Sequence, residues 1–482
     1  MCYVAPMRFP AYESHDALSL AGLVRRRELS AAELLDTAIE RAEQHNPRIN
    51  AICGGQYEAA RSVAGGKLPV GPFTGVPFLL KDTVPALGFP LSFGSHFFEG
   101  STHAFDNETV ARHRRAGLVI FARTTSPEMA MGPSTEVPVY GGPTRNPWNL
   151  GHSSGGSSGG AAAAVAAGIV PMAHATDGAG SIRIPASCCG LFGLKPTRAR
   201  LPAGPLQGEG WGGMSTEHVL TRSVRDSAAM LDATCGADAG APYSLPRPSQ
   251  AFFKDVGAPP GRLRISFLKT TLSGEPIDPE VAAAVDSAAA LCADLGHEVS
   301  EERLSEFNAD EMLEALIVIV SSGVASAIER RAVALGREPL EDELEPATWG
   351  ALRVAWETTG AQYVTAVSTV HRIGRMAARF MERRDLLLMP VMTRPPVPLG
   401  ELTMKNPDFV DYRTAVARYT AFSPLANLSG QPACSVPLAW SKAGLPIGVQ
   451  FMARYGDEST LFRIASQLEA ARPWFGKRPL RF

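Results

Sequence analysis

The sequence predicts an α/β fold, and three observations lead to this prediction. Segments with helical periodicity alternate with short apolar runs, as in "NETVARHRRAGLVIFART", where a helix pattern passes into a buried strand pattern. Hydrophobic residues make up 45% of the chain and charged residues 20%, as in an ordinary globular protein. With 482 residues the chain can bury a large core. No linker divides it, so we expect a single domain over residues 1–482 with a mostly helical elaboration at about 243–400.

The first half of the chain predicts helices and strands in alternation. Residues 15–49 contain two helix patterns, and the second opens with an S-x-x-E capping box and is expected to stop before Pro47. The apolar run Val76–Leu80 predicts a strand that ends at Lys81. "AAAAVAAG" predicts a buried helix, and a strand and a Gly-rich turn follow it. An amphipathic helix is expected over 222–235.

The second half continues the alternation. A Pro-rich connection at 243–262 leads to the strand pattern "RLRISFL" and a helix over 278–296. Residues 309–384 are mostly helical in pattern. The runs "DLLLMPVMT" and "LPIGVQFMA" predict further buried strands, and "DESTLFRIASQLEAA" predicts a final helix.

Charge and composition exclude several function classes. The formal net charge of −2 gives no basic excess for nucleic acid or an anionic membrane. The seven cysteines include no C-x-x-C pair, and the ten histidines form no metal-binding pattern, so we expect no metal and reduced thiols, with Cys188, Cys189 and Cys434 as packing residues. The N-terminus lacks a signal-peptide pattern, and the longest apolar run, 161–175, is too short to span a bilayer. These observations predict a cytoplasmic protein.

Three familiar motifs occur in the wrong context. Residues 155–159 fit the G-x-S-x-G elbow, but turn-forming residues rather than a strand pattern precede them. Residues 208–213 fit the G-x-G-x-x-G cofactor loop, but no strand precedes them and no helix pattern follows. The pair Ser266 and Lys269 lacks the other motifs of a β-lactamase. We therefore interpret all three as chance matches.

A lysine and two serines form a more coherent set. Singly, Lys81 could be a solvated lysine, Ser157 part of a linker and Ser181 a helix N-cap. Together they provide a weak nucleophile and a base, because burial beside the apolar run lowers the pKa of a lysine and a second serine can relay the proton. The run Gly178-Ala179-Gly180 offers backbone N–H groups for an oxyanion hole. The Gly/Ser stretch 151–160 has a linker composition, but its position before a buried helix favours a tight loop.

Several blocks of the chain have a recognisable pattern. The longest is "GGSSGGAAAAVAAGIVPMAHATDGAGSIRIPASCCGLFGLKPT", and "GPFTGVPFLLKD", "NPWNLG", "NLSGQPACSVPL" and "GLPIGVQFMARYGDESTLFRIASQLE" lie in order around it. Together these blocks resemble the amidase signature family. The resemblance covers nearly the whole chain. It implies a large mixed central β-sheet covered by α-helices on both faces.

The resemblance also implies a Ser–cisSer–Lys triad. It makes Ser181 the nucleophile and Lys81 the base, with Ser157, 24 residues before the nucleophile and after a cis peptide bond, as the proton bridge. It gives the oxyanion donors as the amides of Gly178, Ala179, Gly180 and Ser181. Ser158 and Asp177 are expected to support the loop, and no cofactor is implied.

The segment from Thr176 to Ser181 departs from the family pattern, since Ala179 stands where a glycine is usual. The alanine keeps its amide donor, so the resemblance still implies activity, and it looks most like the branch that contains nylon-oligomer amidases. The expected substrate is a small linear, cyclic or aryl amide, with esters or carbamates as further candidates. The alternatives are the amidase-like component of a glutamyl-tRNA amidotransferase, which would need a partner protein, and an inactive binding protein. A homodimer stays open.

Overall fold

The computed structural model describes residues 9–479, so Cys2 and the rest of residues 1–8, which belong to the N-terminal stretch without a signal-peptide pattern, lie outside the described part. The helices are α1 Ala17–Arg25, α2 Ala31–Ile49, α3 Tyr57–Gly65, α4 Glu108–Arg115, α5 Gly159–Ala166, α6 Arg183–Cys189, α7 Val224–Thr234, α8 Pro279–Asp294, α9 Ala309–Leu335, α10 Pro346–Glu357, α11 Gly360–Met381, α12 Phe409–Tyr419, α13 Pro424–Ser429 and α14 Glu458–Ala471. The strands are β1 Ile52–Cys53, β2 Pro77–Lys81, β3 Val119–Thr124, β4 Glu136–Val137, β5 Gly142–Pro143, β6 Arg145–Asn146, β7 Asn149–Ser153, β8 Met172–Asp177, β9 Phe192–Lys195, β10 Thr216–Thr221, β11 Arg264–Phe267, β12 Glu298–Glu301, β13 Leu386–Pro390, β14 Ala433–Trp440 and β15 Pro446–Ala453.

A large mixed sheet forms the centre of the molecule. Its eight strands lie in the order β12-β11-β13-β15-β14-β9-β10-β8. The first three run parallel to one another, and the remaining pairs are antiparallel. Helices flank the sheet, so the predicted α/β fold with a large mixed central sheet is confirmed.

A smaller sheet brings the predicted lysine strand to the edge of the large one. Its order is β1-β3-β2, with β2 and β3 parallel. Strand β2 lies beside β8. All five residues of β2 are buried, as expected for a short parallel strand with an unbroken apolar run. The ends of β2 and β8 therefore meet, with Lys81 at one and Asp177 at the other.

Helix α5 explains why the Gly/Ser stretch is followed by alanines. Every residue from Gly159 to Ala166 is buried. A helix that is apolar on all sides belongs inside a core, and small side chains let its neighbours approach closely. The helix packs against β8, β2 and β3 and so fixes the loop that precedes it relative to both sheets.

The segment 243–400 contains the long helices α9, α10 and α11, as predicted, but it also supplies β11, β12 and β13 to the large sheet. Helix α9 is long and apolar enough to cross a membrane by length and composition, which the prediction based on 161–175 overlooked. More than half of its most apolar 18-residue stretch is buried inside the protein. It packs against α10 and α11 and thus belongs to the apolar core here.

Two local predictions are wrong. Helix α2 continues through Pro47 to Ile49, because Ile49 is fully buried while Pro47 lies on the exposed side, where water can replace the missing backbone donor. The Gly/Ser loop does follow a strand, since β7 ends at Ser153. The turn formers of this segment hid β7, which pairs with the two-residue β6 in a small hairpin and forms a single bridge from His152 to the distant Pro398.

Candidate active site

The Gly/Ser loop is a packed element of the protein interior. Residues 154–158 are all buried, and Thr135 Oγ1 donates a hydrogen bond of 3.0 Å to the carbonyl of Gly155. A Cβ on Gly156 would lie 2.4 Å from the carbonyl oxygen of Gly132, and one on Gly160 would lie 2.5 Å from the backbone nitrogen of Thr125. Only glycine fits such approaches. The peptide bond between Gly156 and Ser157 is cis, as the family resemblance implies.

Lys81 and Ser157 meet in the interior. Lys81 Nζ donates hydrogen bonds to Ser157 Oγ at 2.6 Å and to Thr176 Oγ1 at 2.8 Å. Both Lys81 and Ser157 are 0% exposed. Burial lowers the pKa of Lys81 to about 7, although the negative charges of Asp177 and Glu217 oppose this shift. A substantial fraction of the amine is therefore neutral at neutral pH.

The turn after β8 is organised around Asp177. Its carboxylate pairs with the Arg183 guanidinium at 2.9 Å, with both side chains fully buried, and accepts a hydrogen bond of 2.8 Å from Asn427 Nδ2. Burial alone would raise the pKa of Asp177, but the charge and hydrogen bonds of Arg183 hold it well below its usual range. The carboxylate also accepts the backbone N–H groups of Gly180 at 2.7 Å and Ile182 at 3.1 Å.

Ser181 lies at this turn and is the most accessible of the three predicted residues, at 9% exposure. Within residues 9–479, the N–H groups of Gly178, Ala179 and Ser181 donate to no acceptor. The N–H of Gly180 differs from the expectation, because Asp177 already accepts it. Three of the four expected oxyanion donors are thus free in this structure.

The structure does not join all three predicted residues by hydrogen bonds. In the described part of the chain, Ser181 Oγ has no hydrogen bond to Ser157 or to any other side chain. Ser158 lies next to Ser157, and its hydroxyl bonds both the carbonyl and the N–H of Thr176 at 3.3 Å. It ties the Gly/Ser loop to the end of β8.

An apolar surface adjoins the turn. Ala179 packs against a cluster that includes Met129 and Met131, together with Leu316 and Val320 of α9. Trp211 packs against the same cluster.

The Trp211 contacts are close. A Cβ on Gly178 would lie 2.5 Å from the Cε3 carbon of Trp211, and one on Gly323 of α9 would lie 3.0 Å from its Cδ1 carbon. The ring therefore sits between the turn and α9.

Sequence reasoning missed several polar residues of the site. Thr176 was named only as part of a pattern, and Arg183, Asn427 and Gln450 were given no role. Asn427 and Gln450 lie inside the quoted blocks "NLSGQPACSVPL" and "GLPIGVQFMARYG". Arg183 donates to the Gln450 side-chain oxygen at 2.6 Å, so these blocks hold the Arg183 that pairs with Asp177.

The other motifs and residue types that the sequence offered have ordinary structural surroundings. Ser157 follows β7, yet its hydroxyl is buried against Lys81, whereas the serine of a G-x-S-x-G elbow is exposed. Lys269 forms ion pairs with Asp286 and Glu301, whereas Ser266 Oγ accepts a hydrogen bond of 2.9 Å from Arg384 Nε. Cys188, Cys189 and Cys434 are free and buried, as predicted. Among the residues described, no three His, Cys, Asp or Glu side chains cluster as metal ligands do.

The chain matches known proteins along nearly its whole length. The family model described as Amidase matches residues 33–462. A 6-aminohexanoate-cyclic-dimer hydrolase of Pseudomonas sp. (strain NK87) is 40% identical over 476 residues, covering 96% of each chain.

Solved structures agree with these matches. A structure of 6-aminohexanoate cyclic dimer hydrolase matches with a TM-score of 0.91 and 38% identity, covering 97% of this chain and 99% of that one. A bacterial aryl acylamidase of the amidase signature family matches with a TM-score of 0.87 and 26% identity, covering 97% and 99%.

Proposed function

Because the chain belongs to the amidase signature family and is a hydrolase of amide bonds, we propose that Lys81, Ser157 and Ser181 form its catalytic relay. The observation that carries the proposal is the 2.6 Å contact between Lys81 Nζ and Ser157 Oγ in a fully buried environment. A lysine in such a place is a base only when it is neutral. Its pKa of about 7 allows this at neutral pH.

The relay begins at the lysine. Neutral Lys81 accepts the Ser157 proton, and Ser157 takes the Ser181 proton as Ser181 Oγ attacks the substrate carbonyl. We expect the Ser157–Ser181 hydrogen bond to form once substrate is bound, since catalytic hydrogen bonds often tighten only in that complex. Thr176 Oγ1, at 2.8 Å from Lys81 Nζ, keeps the amine in position while the hydrogen bond between the amine and Ser157 changes.

The negative charge on the tetrahedral intermediate needs donors. We assign this role to the N–H groups of Gly178, Ala179 and Ser181, which have no other acceptor among residues 9–479. The Gly180 N–H keeps the turn in shape through Asp177. Ala179 retains its amide, so the methyl group changes the wall of the site and not the number of donors.

Collapse of the intermediate breaks the C–N bond. The leaving amine takes a proton from Ser157, and Ser157 regains one from the protonated Lys81. Ser181 then holds the acyl group as an ester. Water then attacks this ester, giving its proton to the same relay, and the carboxylic acid leaves as Ser181 recovers its hydrogen. Every proton that enters the relay leaves it, and no cofactor is required.

The walls of the site suggest the substrate class. An apolar cluster beside Ala179 and the ring of Trp211 suit an aliphatic or aromatic chain next to the scissile amide. The named relatives act on a cyclic 6-aminohexanoate dimer or are called an aryl acylamidase. We therefore propose small linear, cyclic or aryl amides as substrates, with esters and carbamates of similar shape next, and we place the reaction in the cytoplasm.

A fluorophosphonate probe tests the relay directly. We expect a single adduct on Ser181, located by mass spectrometry of the digested protein. Ser181→Ala should lose labelling and amidase activity by a factor on the order of 10⁴ or more. Ser154→Ala is the control, because Ser154 is a fully buried serine of the neighbouring Gly/Ser loop whose hydroxyl makes a 3.5 Å contact with the Thr144 carbonyl and none with Lys81. An adduct elsewhere, or an active Ser181→Ala variant, would refute the assignment.

The substrate class needs a separate measurement. The purified chain alone should hydrolyse a panel of small aliphatic amides, anilides, cyclic amide oligomers and carbamates to different extents. Activity that appears only after a partner protein is added would favour the amidotransferase alternative.

A further inference from the structure

Lys81 has a second set of neighbours, which contact its backbone and not its amine. Within the described residues, no ladder of backbone hydrogen bonds joins β2 to β8, although the strands lie side by side. At Lys81 a side chain makes the connection, because the Lys81 N–H donates to His174 Nδ1 at 3.3 Å. The His174 ring is 0% exposed.

This hydrogen bond determines the tautomer of His174. Since Nδ1 accepts the hydrogen bond of the Lys81 N–H, the ring hydrogen of the neutral imidazole lies on Nε2. Nε2 is 3.2 Å from Glu217 Oε2 and therefore donates to it. The ring of His113 stands edge-on to that of His174, with the two ring centroids 5.6 Å apart, and burial lowers the pKa of His113 well below its usual value. His113 therefore brings no charge to the group.

Glu217 occupies a defined position relative to the lysine amine. The register of β8 and β10 places Glu217 directly opposite Thr176, so their side chains share a face of the sheet. Thr176 Oγ1 is the second contact of Lys81 Nζ. The other Glu217 oxygen accepts from Asn107 Nδ2 at 3.4 Å, which holds the carboxylate from the side of α4.

We propose that His174 and Glu217 are positioning residues for Lys81, with His174 holding the backbone of Lys81 against β8 and Glu217 setting a fixed negative charge behind the amine. The inference rests on the proposed role of Lys81 as the base.

The other charges around this group are few. Asp177 faces the amine from the end of β8. Arg123, which lies 3.6 Å from Asp82, donates to the Lys81 carbonyl at 3.2 Å. Glu209 lines a polar cavity of about 100 Å³ together with Glu217 and Arg198.

The charge of Glu217 has a testable sign. A negative charge near an amine favours the ammonium form, and Glu217 indeed raises the pKa of Lys81 against the effect of burial. Glu217→Gln should therefore make neutral lysine available at lower pH. The variant should react faster than the parent below pH 7, which simple damage to the fold would not produce.

The experiment measures the rate of fluorophosphonate inactivation against pH. For Glu217→Gln we expect the acidic limb, the part of the profile where the rate rises with pH, to move to lower pH by about half to one unit. This corresponds to a roughly 3- to 10-fold gain in the inactivation rate at pH 6. Glu217→Asp should restore most of the parent profile. Glu209→Gln is the matched control, since Glu209 lines the same cavity but is exposed and does not pair with His174, and its profile should not move.

A second variant protects the test against misfolding. His174→Asn keeps an acceptor for the Lys81 N–H and leaves the charge of Glu217 in place, so we expect its acidic limb to stay near that of the parent. A Glu217→Gln limb that stays in place or moves upward in the folded protein, or a His174→Asn limb that moves as far down as that of Glu217→Gln, would overturn the inference. If Lys81→Met is inactive while the Glu217→Gln limb stays in place, only the positioning role fails. If Lys81→Met remains active, the proposed function itself fails.

Discussion

Two lysines of this protein are buried to the same degree and yet are set in different surroundings. Lys81 and Lys195 are 0% and 1% exposed, and burial lowers the pKa of each to about 7. The amine of Lys81 touches the hydroxyls of Ser157 and Thr176, whereas that of Lys195 donates to the carbonyl of Pro196 at 2.7 Å. A hydroxyl can give up a proton and a carbonyl cannot, so only Lys81 can act as a base. Burial sets the proton affinity, and the neighbours decide whether a proton moves.

The charges near the two lysines differ as well. Arg183 lowers the pKa of Lys195 further, while Asp177 raises it. The two charges that shift the pKa of Lys81, those of Asp177 and Glu217, are both negative and raise it. The same pKa thus arises from two different balances, and the variants below separate them.

The largest expected effect comes from removing each amine in turn. Lys81→Met should lower kcat for amide hydrolysis by a factor on the order of 10³ or more, because the relay loses its base. Lys195→Met should keep kcat within about threefold, since its amine contacts no hydroxyl of the relay. Steady-state kinetics on protein of verified melting temperature would measure both. Equal losses in the two variants would contradict the comparison.

The next effect concerns the ion pair that influences both lysines. Asp177→Asn leaves the Arg183 guanidinium buried without a counter-charge, and we expect about 3–5 kcal/mol lower free energy of unfolding. Asp385→Asn, which removes a carboxylate paired with Arg264 and Arg454 near the surface, should cost at most about 1 kcal/mol. Urea unfolding measures both, and a loss below about 1 kcal/mol in Asp177→Asn would show that the buried pair is replaceable.

A smaller effect is the dependence of the rate on pH. The folded-state pKa of Lys81 is about 7, so the base is protonated and idle below that value and neutral above it. The rate should rise about tenfold per pH unit below 7 and level off above it. Lys195→Met should show the same limb, although Lys195 titrates in the same range. If the pH dependence vanished in Lys195→Met, the titrating group would be Lys195 and not Lys81.

The smallest effect separates the two hydroxyls at Lys81. Thr176→Val removes the 2.8 Å contact but leaves the contact with Ser157, so we expect a loss in kcat of about tenfold, in line with one hydrogen bond to a charged group. Thr176→Ser should recover most of the rate because it restores the hydroxyl. A Thr176→Val variant with the parent kcat would leave Ser157 as the only functional neighbour.

The elements that sequence predicted best have a clear local period. The amphipathic helix α7 and the run of β2 belong to this group, because their buried positions follow from residues close in the chain. Helices α12 and α13 and the strand β14 were not identified. Helix α13 has only six residues, and β14 contains Pro437, a residue that strands disfavour, and takes the early strand β9 as its second partner.

The site shows the same limit. Lys81, Ser157 and Ser181 were found through the family blocks and their chemistry, and their roles stay predictions until tested. The residues that surround them were missed because the contacts are long-range: 93 positions separate Lys81 from His174, and 250 separate Asp177 from Asn427. A single sequence holds no periodicity that joins such pairs.

The ring of Trp211 fills the space between Gly178 and Gly323. One glycine belongs to the turn that offers the amide donors, and the other to the helix α9 that lines the apolar wall. Any side chain introduced at Gly323 has to displace the ring, and the ring then presses on the turn. A substitution at Gly323 would therefore be transmitted through the indole ring to the turn that carries Ser181, although the two positions lie in different elements.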